Sequence, residues 1–357
     1  MTGKGSKKSY VKAVVTLDNL LRYRGYIFTY FSEAALKLCA QRGLEELNAQ
    51  NMYQIIGEVN RCVSEEIEAI RSRNKDPCIA PLALTRNDPK DKLNLCYAHK
   101  VLTEFLTGHM HGGMVLPPAL SLEFAEYVRS FMGPGKAKRD LFLVDEEVLA
   151  LSVIGAYLLN AYAIGGEYGY VYIDVAPFAP ITQKVRKMER AAKSITKAIM
   201  ARNGSIASVI VGIASVASLH LGKISRDIVQ KGGYVVANFI RISRTEKKVL
   251  LKGFDSVDII QLIRILRASR TSRTVYMLLR NYPPEEFNNL RRFVEVLSQN
   301  LLKFQSFRKP IYIYEILRFL TSNELNKEGA QYYVKSRKVP GWSEIVAELM
   351  NFYRLVA

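Results

Sequence analysis

The sequence predicts a mainly α protein (α+β): helical, with a small antiparallel β element, a hairpin, around residues 234–252. Apolar residues recur at three- and four-residue steps, as in Met52, Ile55, Ile56, Val59, Val63, Ile67 and Ile70, which is the period of a helix with one buried face. β-branched and aromatic residues concentrate instead in two stretches, Tyr168 to Val175 and Tyr234 to Ile242. With 357 residues, 49 per cent of them apolar, the chain can bury one large core or two ordinary ones.

Taken in order, Tyr10 to Val15 reads as a short strand. Ala34, Ala35, Leu38 and Leu44 supply one amphipathic run, and Met52 to Ile70 supply a longer one with Glu58, Glu65, Glu66, Glu68, Arg61, Arg71 and Arg73 on its polar face. Asn74 to Lys92 holds three prolines and a polar string, hence a loop. Helices are expected from Leu93 to Thr107 and from Ser121 to Met132. Val148 to Gly166 and Asn203 to Gly222 run 19 and 20 residues without a charge, close to the roughly 20 that span a bilayer. Asn160 and Gly165-Gly166 in the first, and the Gly, Ala, Ser and His220 of the second, fit a protein core better, so no membrane partner is expected.

The net charge of +18 is unevenly placed. Residues 1–181 carry 20 bases and 20 acids, whereas residues 182–357 carry 31 and 13. The chain is therefore read as a near-neutral, mostly helical region, 1–181, with a strand near 168–175, and a strongly basic region, 182–357, with the hairpin and further helices. Such asymmetry points to a polyanion, nucleic acid before a membrane surface or an acidic protein. Four cysteines in this length form no disulfide framework and suit a reducing compartment. The basic, polar start is followed by no apolar h-region, so no secretory signal is expected and the location is taken as cytoplasmic.

Two basic elements are the candidate binding residues. In Ile181 to Asn203, Val185, Met188, Ala192, Ile195 and Ile199 form an apolar stripe and Arg186, Arg190, Lys193 and Lys197 a cationic one, with Glu189 the acid among them and Gly204 as the C′ residue. The stripe suits a phosphate backbone; it also suits a solvated surface.

The second element is Gly232 to Arg280, with ten bases against three acids. Its strands place Arg241, Arg244 and Lys252 around a connection, Thr245 to Lys248, that contains Lys247 and Lys248. After Gly253, Asp255 is expected as the N-cap, with Phe254 and Ile259 as a hydrophobic staple, of a helix from Ser256 to about Ala268 bearing Arg264 and Arg267. The heptapeptide Ala268-Ser-Arg-Thr-Ser-Arg-Thr, with Arg270 and Arg273, alternates hydroxyls and guanidiniums beside a helix start at Ser272 and suits phosphate oxygens; the alternative is a solvated turn. Helices opening at Pro283-Pro284, Pro310 and Pro340 complete the chain, and Gln331 to Lys338 sets two tyrosines beside bases, able to stack bases or to pack.

The sequence contains no P-loop, dinucleotide fingerprint, HExxH or nucleophile elbow, so an enzyme and a cofactor are not expected. Cys78, Cys96, His99, His109 and His111 form the one metal-like group, without the paired spacing of a zinc knuckle, and Cys96, His99, His109 and His111 are its candidate ligands. A metal-dependent nuclease or nucleic-acid-modifying enzyme built on them is one rival reading, and a membrane-associated protein is another.

The stretches GYVVANFIRISR and KGFDSVDIIQLIR, with the C-terminal helices and the neutral-then-basic layout, resemble the large subunit (Csa-type) of the archaeal subtype I-A CRISPR Cascade interference complex. The resemblance implies a non-catalytic subunit of an antiviral ribonucleoprotein, with other protein subunits, guide RNA and target DNA as its partners. Base pairing with the guide would then read the sequence, and the protein would hold backbone.

Overall fold

The computed structural model describes residues 13–78, 93–109, 112–117, 120, 142–176, 182–221, 225–244, 249–334 and 340–356. The fold is mainly α with two small sheets, and the chain divides into two compact units: residues 1–158 with 244–251, and residues 159–243 with 252–357. The expected helix Ser121 to Met132 and the hairpin connection with Lys247 and Lys248 lie outside the described residues.

In the first unit, β1 (Ala13–Val15), β2 (Gly113–Val115) and β3 (Phe142–Asp145) form a sheet in the order β1-β3-β2, with β1 parallel and β2 antiparallel to β3. Helix α1 (Ile27–Ala35) runs into a π turn, Leu36–Ala40, and precedes α2 (Met52–Arg71) and α3 (Leu95–Leu106). The three- and four-residue apolar steps of α2 are buried as its sequence dictates, from Met52 through Ile67. Helix α4 (Glu146–Leu159) begins the first uncharged run and is buried on all sides. It meets α1 closely: Ser152 Oγ lies 2.9 Å from Ser32 Oγ, and a Cβ on Gly155 would fall 1.7 Å from the Phe31 carbonyl oxygen.

The cysteines correct the sequence reading. Cys39 is bonded to Cys62 and Cys78 to Cys96, so all four are paired and none is free. The first bond ties the π turn to α2; the second ties the start of the loop after α2 to α3. Their spacing in sequence, 23 and 18 residues, follows no recognised framework, which is why pairing was not legible.

The second sheet has the order β4-β5-β6-β7, from β4 (Asn160–Ile164), β5 (Glu167–Ala176), β6 (Tyr234–Arg244) and β7 (Val249–Asp258), and lies in the second unit but for Arg244 and Val249–Leu251. Gly165 and Gly166 both have positive φ, as a two-residue turn between β4 and β5 requires. Helices α5 (Thr182–Met200), α6 (Ile206–Leu221), α7 (Ser225–Gln230), α8 (Ile260–Ala268) and α9 (Ser272–Arg280) follow, and α10 (Asn288–Phe307), α11 (Ile311–Leu320), α12 (Asn323–Tyr332) and α13 (Trp342–Val356) close the chain. Helix α6, the second uncharged run, is the centre of this unit: Ser208 to Ser218 are all buried, with α5, α8, α9 and α10 packed around them. Its serines are all hydrogen-bonded, Ser208 with Ser298 of α10 at 3.1 Å, Ser218 with Ser272 of α9 at 2.7 Å and Ser215 to the Gly212 carbonyl at 2.7 Å, which offsets the cost of burying their hydroxyls. Among the described residues no helix is long and apolar enough to cross a membrane.

Three local expectations are corrected. β7 continues past Gly253 to Asp258, so Asp255 is a strand residue rather than an N-cap, and Phe254 is exposed rather than part of a staple. Asp258 supplies the local bond, its Oδ1 accepting from the Ile260 N–H at 2.9 Å. Asn203, not Gly204, takes the left-handed C′ position after α5, and Gly204 follows it with its N–H on the Ile199 carbonyl. Pro283-Pro284 precede rather than open α10, which begins at Asn288.

Candidate nucleic-acid interface

Helix α5 is amphipathic because its apolar residues return every three or four positions. Val185, Met188, Ala192, Ile195 and Ile199 are buried. Arg186, Arg190 and Lys197 are exposed on the opposite side and Lys193 is half-buried beside them. The cations span about 16 Å at 1.5 Å per residue. Glu189 does not belong to this face. It is 3 per cent exposed, its Oε1 accepts the Ile173 N–H of β5 at 2.6 Å, and its Oε2 has no hydrogen-bond partner among the described residues. Burial pushes its carboxyl up to about 8, against the opposing pull of the Ile173 N–H and of Lys193. At neutral pH the acid is therefore largely uncharged and offsets little of the stripe.

The α8–α9 corner divides its heptapeptide by chemistry. Ser269, Thr271, Ser272 and Thr274 are buried, whereas Arg270 and Arg273 are exposed. Ser269 Oγ donates to the Ile265 carbonyl and lies 2.7 Å from Thr271 Oγ1, while Ser272 Oγ meets Ser218. The hydroxyls thus knit α8, α9 and α6 together and are not presented to an external phosphate, which corrects the reading of the heptapeptide as a joint hydroxyl and guanidinium surface. Arg270 has φ 58° and forms a Schellman end to α8, with Thr271 N–H on the Leu266 carbonyl and Arg270 N–H on the Arg267 carbonyl. Four exposed arginines therefore follow one another at three-residue intervals: Arg264, Arg267, Arg270 and Arg273. Arg273 feels the Glu348 carboxyl of α13, which burial raises and Arg273 lowers.

Sequence reading missed a fifth cation at this corner. Arg308, the left-handed C-cap of α10, donates Nη2 to Gln261 Oε1 at 2.9 Å, and Arg264 Nη1 lies 3.4 Å from the same oxygen. Nothing in the local sequence of Arg308 marks it; only the packing of α10 on α8 does.

The hairpin cations are less uniform. Lys252 is exposed on β7, an edge strand. Arg241 is half-buried, its guanidinium 5.9 Å from the Phe239 ring centre and so close over Gly253 that an added Cβ there would fall 2.7 Å from Nη2. Arg244 is half-buried and belongs to the first unit. Of the tyrosines in Gln331 to Lys338, Tyr333 is buried with its hydroxyl on the Asn281 carbonyl, and Tyr332 accepts from Arg202 Nη1; both pack rather than stack bases.

The metal-like group is not assembled. Cys96 is bonded to Cys78 and so is no thiolate, His99 Nδ1 lies 2.8 Å from Asn60 Oδ1, His109 Nδ1 lies 3.2 Å from Thr107 Oγ1, and His111 lies outside the described residues. Among the described residues no group of three or more His, Cys, Asp or Glu is arranged to hold a metal ion. Compared with protein-family models, curated proteins and solved structures, the chain matches none.

Proposed function

We propose that this chain is a non-catalytic nucleic-acid-binding subunit of a CRISPR antiviral-defence ribonucleoprotein, of the archaeal Cascade large-subunit kind, that holds the backbone of target DNA or guide RNA beside other subunits in the cytoplasm. The observation that carries the binding part is the row Arg264, Arg267, Arg270 and Arg273, exposed on a two-helix corner whose hydroxyls are turned inward. Guanidiniums on fixed helices suit phosphate oxygens, and the α5 stripe, on a helix that packs beside α9, adds cations in the same unit. The two disulfides oppose the reducing compartment expected from the cysteine count, and the cytoplasmic placement keeps them only through the exception of hyperthermophiles, archaea among them, whose intracellular proteins are disulfide-rich. The specific assignment to CRISPR defence rests on the resemblance of GYVVANFIRISR and KGFDSVDIIQLIR.

The test is binding of the purified protein to duplex DNA, single-stranded DNA and RNA across a salt series. Replacing Arg264, Arg267 and Arg270 by Gln is expected to make the logarithmic salt slope on duplex DNA shallower by about 0.9 for each phosphate that is no longer neutralised. An unchanged slope removes the corner from the interface. Absence of binding to all three nucleic acids at low salt removes the nucleic-acid reading for the isolated chain.

A further inference from the structure

At the junction of α10 and α11, three large apolar side chains stand in solvent: Phe307 is 62 per cent exposed, Ile311 52 per cent and Tyr314 57 per cent. They are interleaved with cations. Lys303 Nζ sits 5.8 Å from the Tyr312 ring centre, the Phe307 and Tyr312 rings are 6.1 Å apart, and Arg308 stands next in the chain, anchored through Gln261 to the arginine row of α8. Among the described residues neither Lys303 nor Arg308 is paired with a carboxylate, and α11 contains a single acid, Glu315. Rings and an amide hold these cations in place while leaving their charge uncompensated.

An uncharged apolar protein face would cover the rings but leave the cations without counter-charge, and an acidic protein surface, ranked behind nucleic acid by the charge asymmetry, offers carboxylates without a flat π face at each one. A duplex would meet the cations but keep its bases stacked away from the rings. An unpaired strand satisfies both, because each nucleotide offers a flat π face and a phosphate. We infer that the α10–α11 corner is a seat for single-stranded nucleic acid, with bases stacked on Phe307 and Tyr314 and the backbone held by Lys303 and Arg308. This rests on the nucleic-acid reading and narrows it from polyanion to unpaired strand.

The probes are a thymidine homopolymer of about twenty nucleotides, an abasic sugar–phosphate strand of equal length and a duplex of the same size, an extent chosen to exceed a typical single-strand site. In the full chain, Phe307→Ala with Tyr314→Ala is expected to weaken binding of the homopolymer by at least about tenfold, while the abasic strand and the duplex bind as before. Arg308→Gln should weaken the homopolymer and the abasic strand alike. Both rings are exposed, so an unchanged urea midpoint confirms that the fold is intact. If the ring substitutions leave the homopolymer unaffected, or weaken the abasic strand equally, the stacking seat is wrong while salt-sensitive duplex binding keeps the broader function. If the unmodified chain binds none of the three, both fall.

Discussion

Glu189 shows how one buried group shapes a charged surface. Its carboxyl is held neutral by burial and pushed up to about 8 from an ordinary 4.5. In the unfolded chain it ionises first, so between those two values the folded state binds more protons and stability falls as pH rises. Below the lower value both states are protonated, and above the upper one both are ionised, so the slope vanishes outside the window. Glu189→Gln, with its carbonyl still able to accept the Ile173 N–H, should flatten urea-determined stability between about pH 5 and 8, a change on the order of a few kcal/mol. An unaltered slope would mean the carboxyl is already ionised in the folded protein. Gly155 presents a steric case. Any Cβ there meets the Phe31 carbonyl, a backbone atom that cannot swing aside, so Gly155→Ala should destabilise the α1–α4 packing by about 1–3 kcal/mol, read from the urea midpoint.

At the scale of elements, the α8–α9 corner separates charge from conformation. Arg270 occupies a left-handed position where a side chain costs about 1 kcal/mol and glycine almost nothing. Arg270→Gly should therefore raise the thermal midpoint slightly and Arg270→Ala leave it nearly unchanged, yet both should reduce the salt slope on duplex DNA by the same amount, about 0.9 if Arg270 neutralises one phosphate. A difference between the two slopes would show that the turn, not the charge, governs binding. Helix α6 makes the complementary point, since Ser208 and Ser218 hold α10 and α9 by hydroxyl pairs inside an otherwise apolar core. Replacing one partner alone, as in Ser218→Ala, leaves the Ser272 hydroxyl buried without that partner and should destabilise by about 1–3 kcal/mol, measured in urea.

For the whole molecule, both disulfides fall within residues 39–96 of the first unit. Each closes a loop of about twenty residues, worth about 3 kcal/mol through the unfolded chain. Reductant should accordingly increase hydrogen exchange in α1, α2 and α3 while leaving exchange in α6 and α10 as it was. Equal loosening of both sets would show that the two units unfold as one. The exposed arginine row and the α5 stripe lie on the other side of that division, in the second unit.

The mainly α class, the hairpin at Tyr234, the strand at Glu167–Ala176 and the buried stripes of α2 and α5 were legible because each depends on the spacing of apolar residues within one element. The exposure of Arg264 and Arg267 followed from the same periodicity. What no local pattern carried was decided between elements. The inward turn of Glu189, Ser269, Thr271 and Tyr333, the pairing of Cys39 with Cys62 and Cys78 with Cys96, and the approach of Arg308 to Gln261 all depend on which distant segment arrives opposite. The extension of β7 through Asp258 is of this kind too, because pairing with β6 outweighs the helix-capping preference of Asp255. By itself the sequence determined periodicity and charge. Tertiary structure decided which polar groups reach solvent, because burial depends on neighbours that only the folded chain brings together.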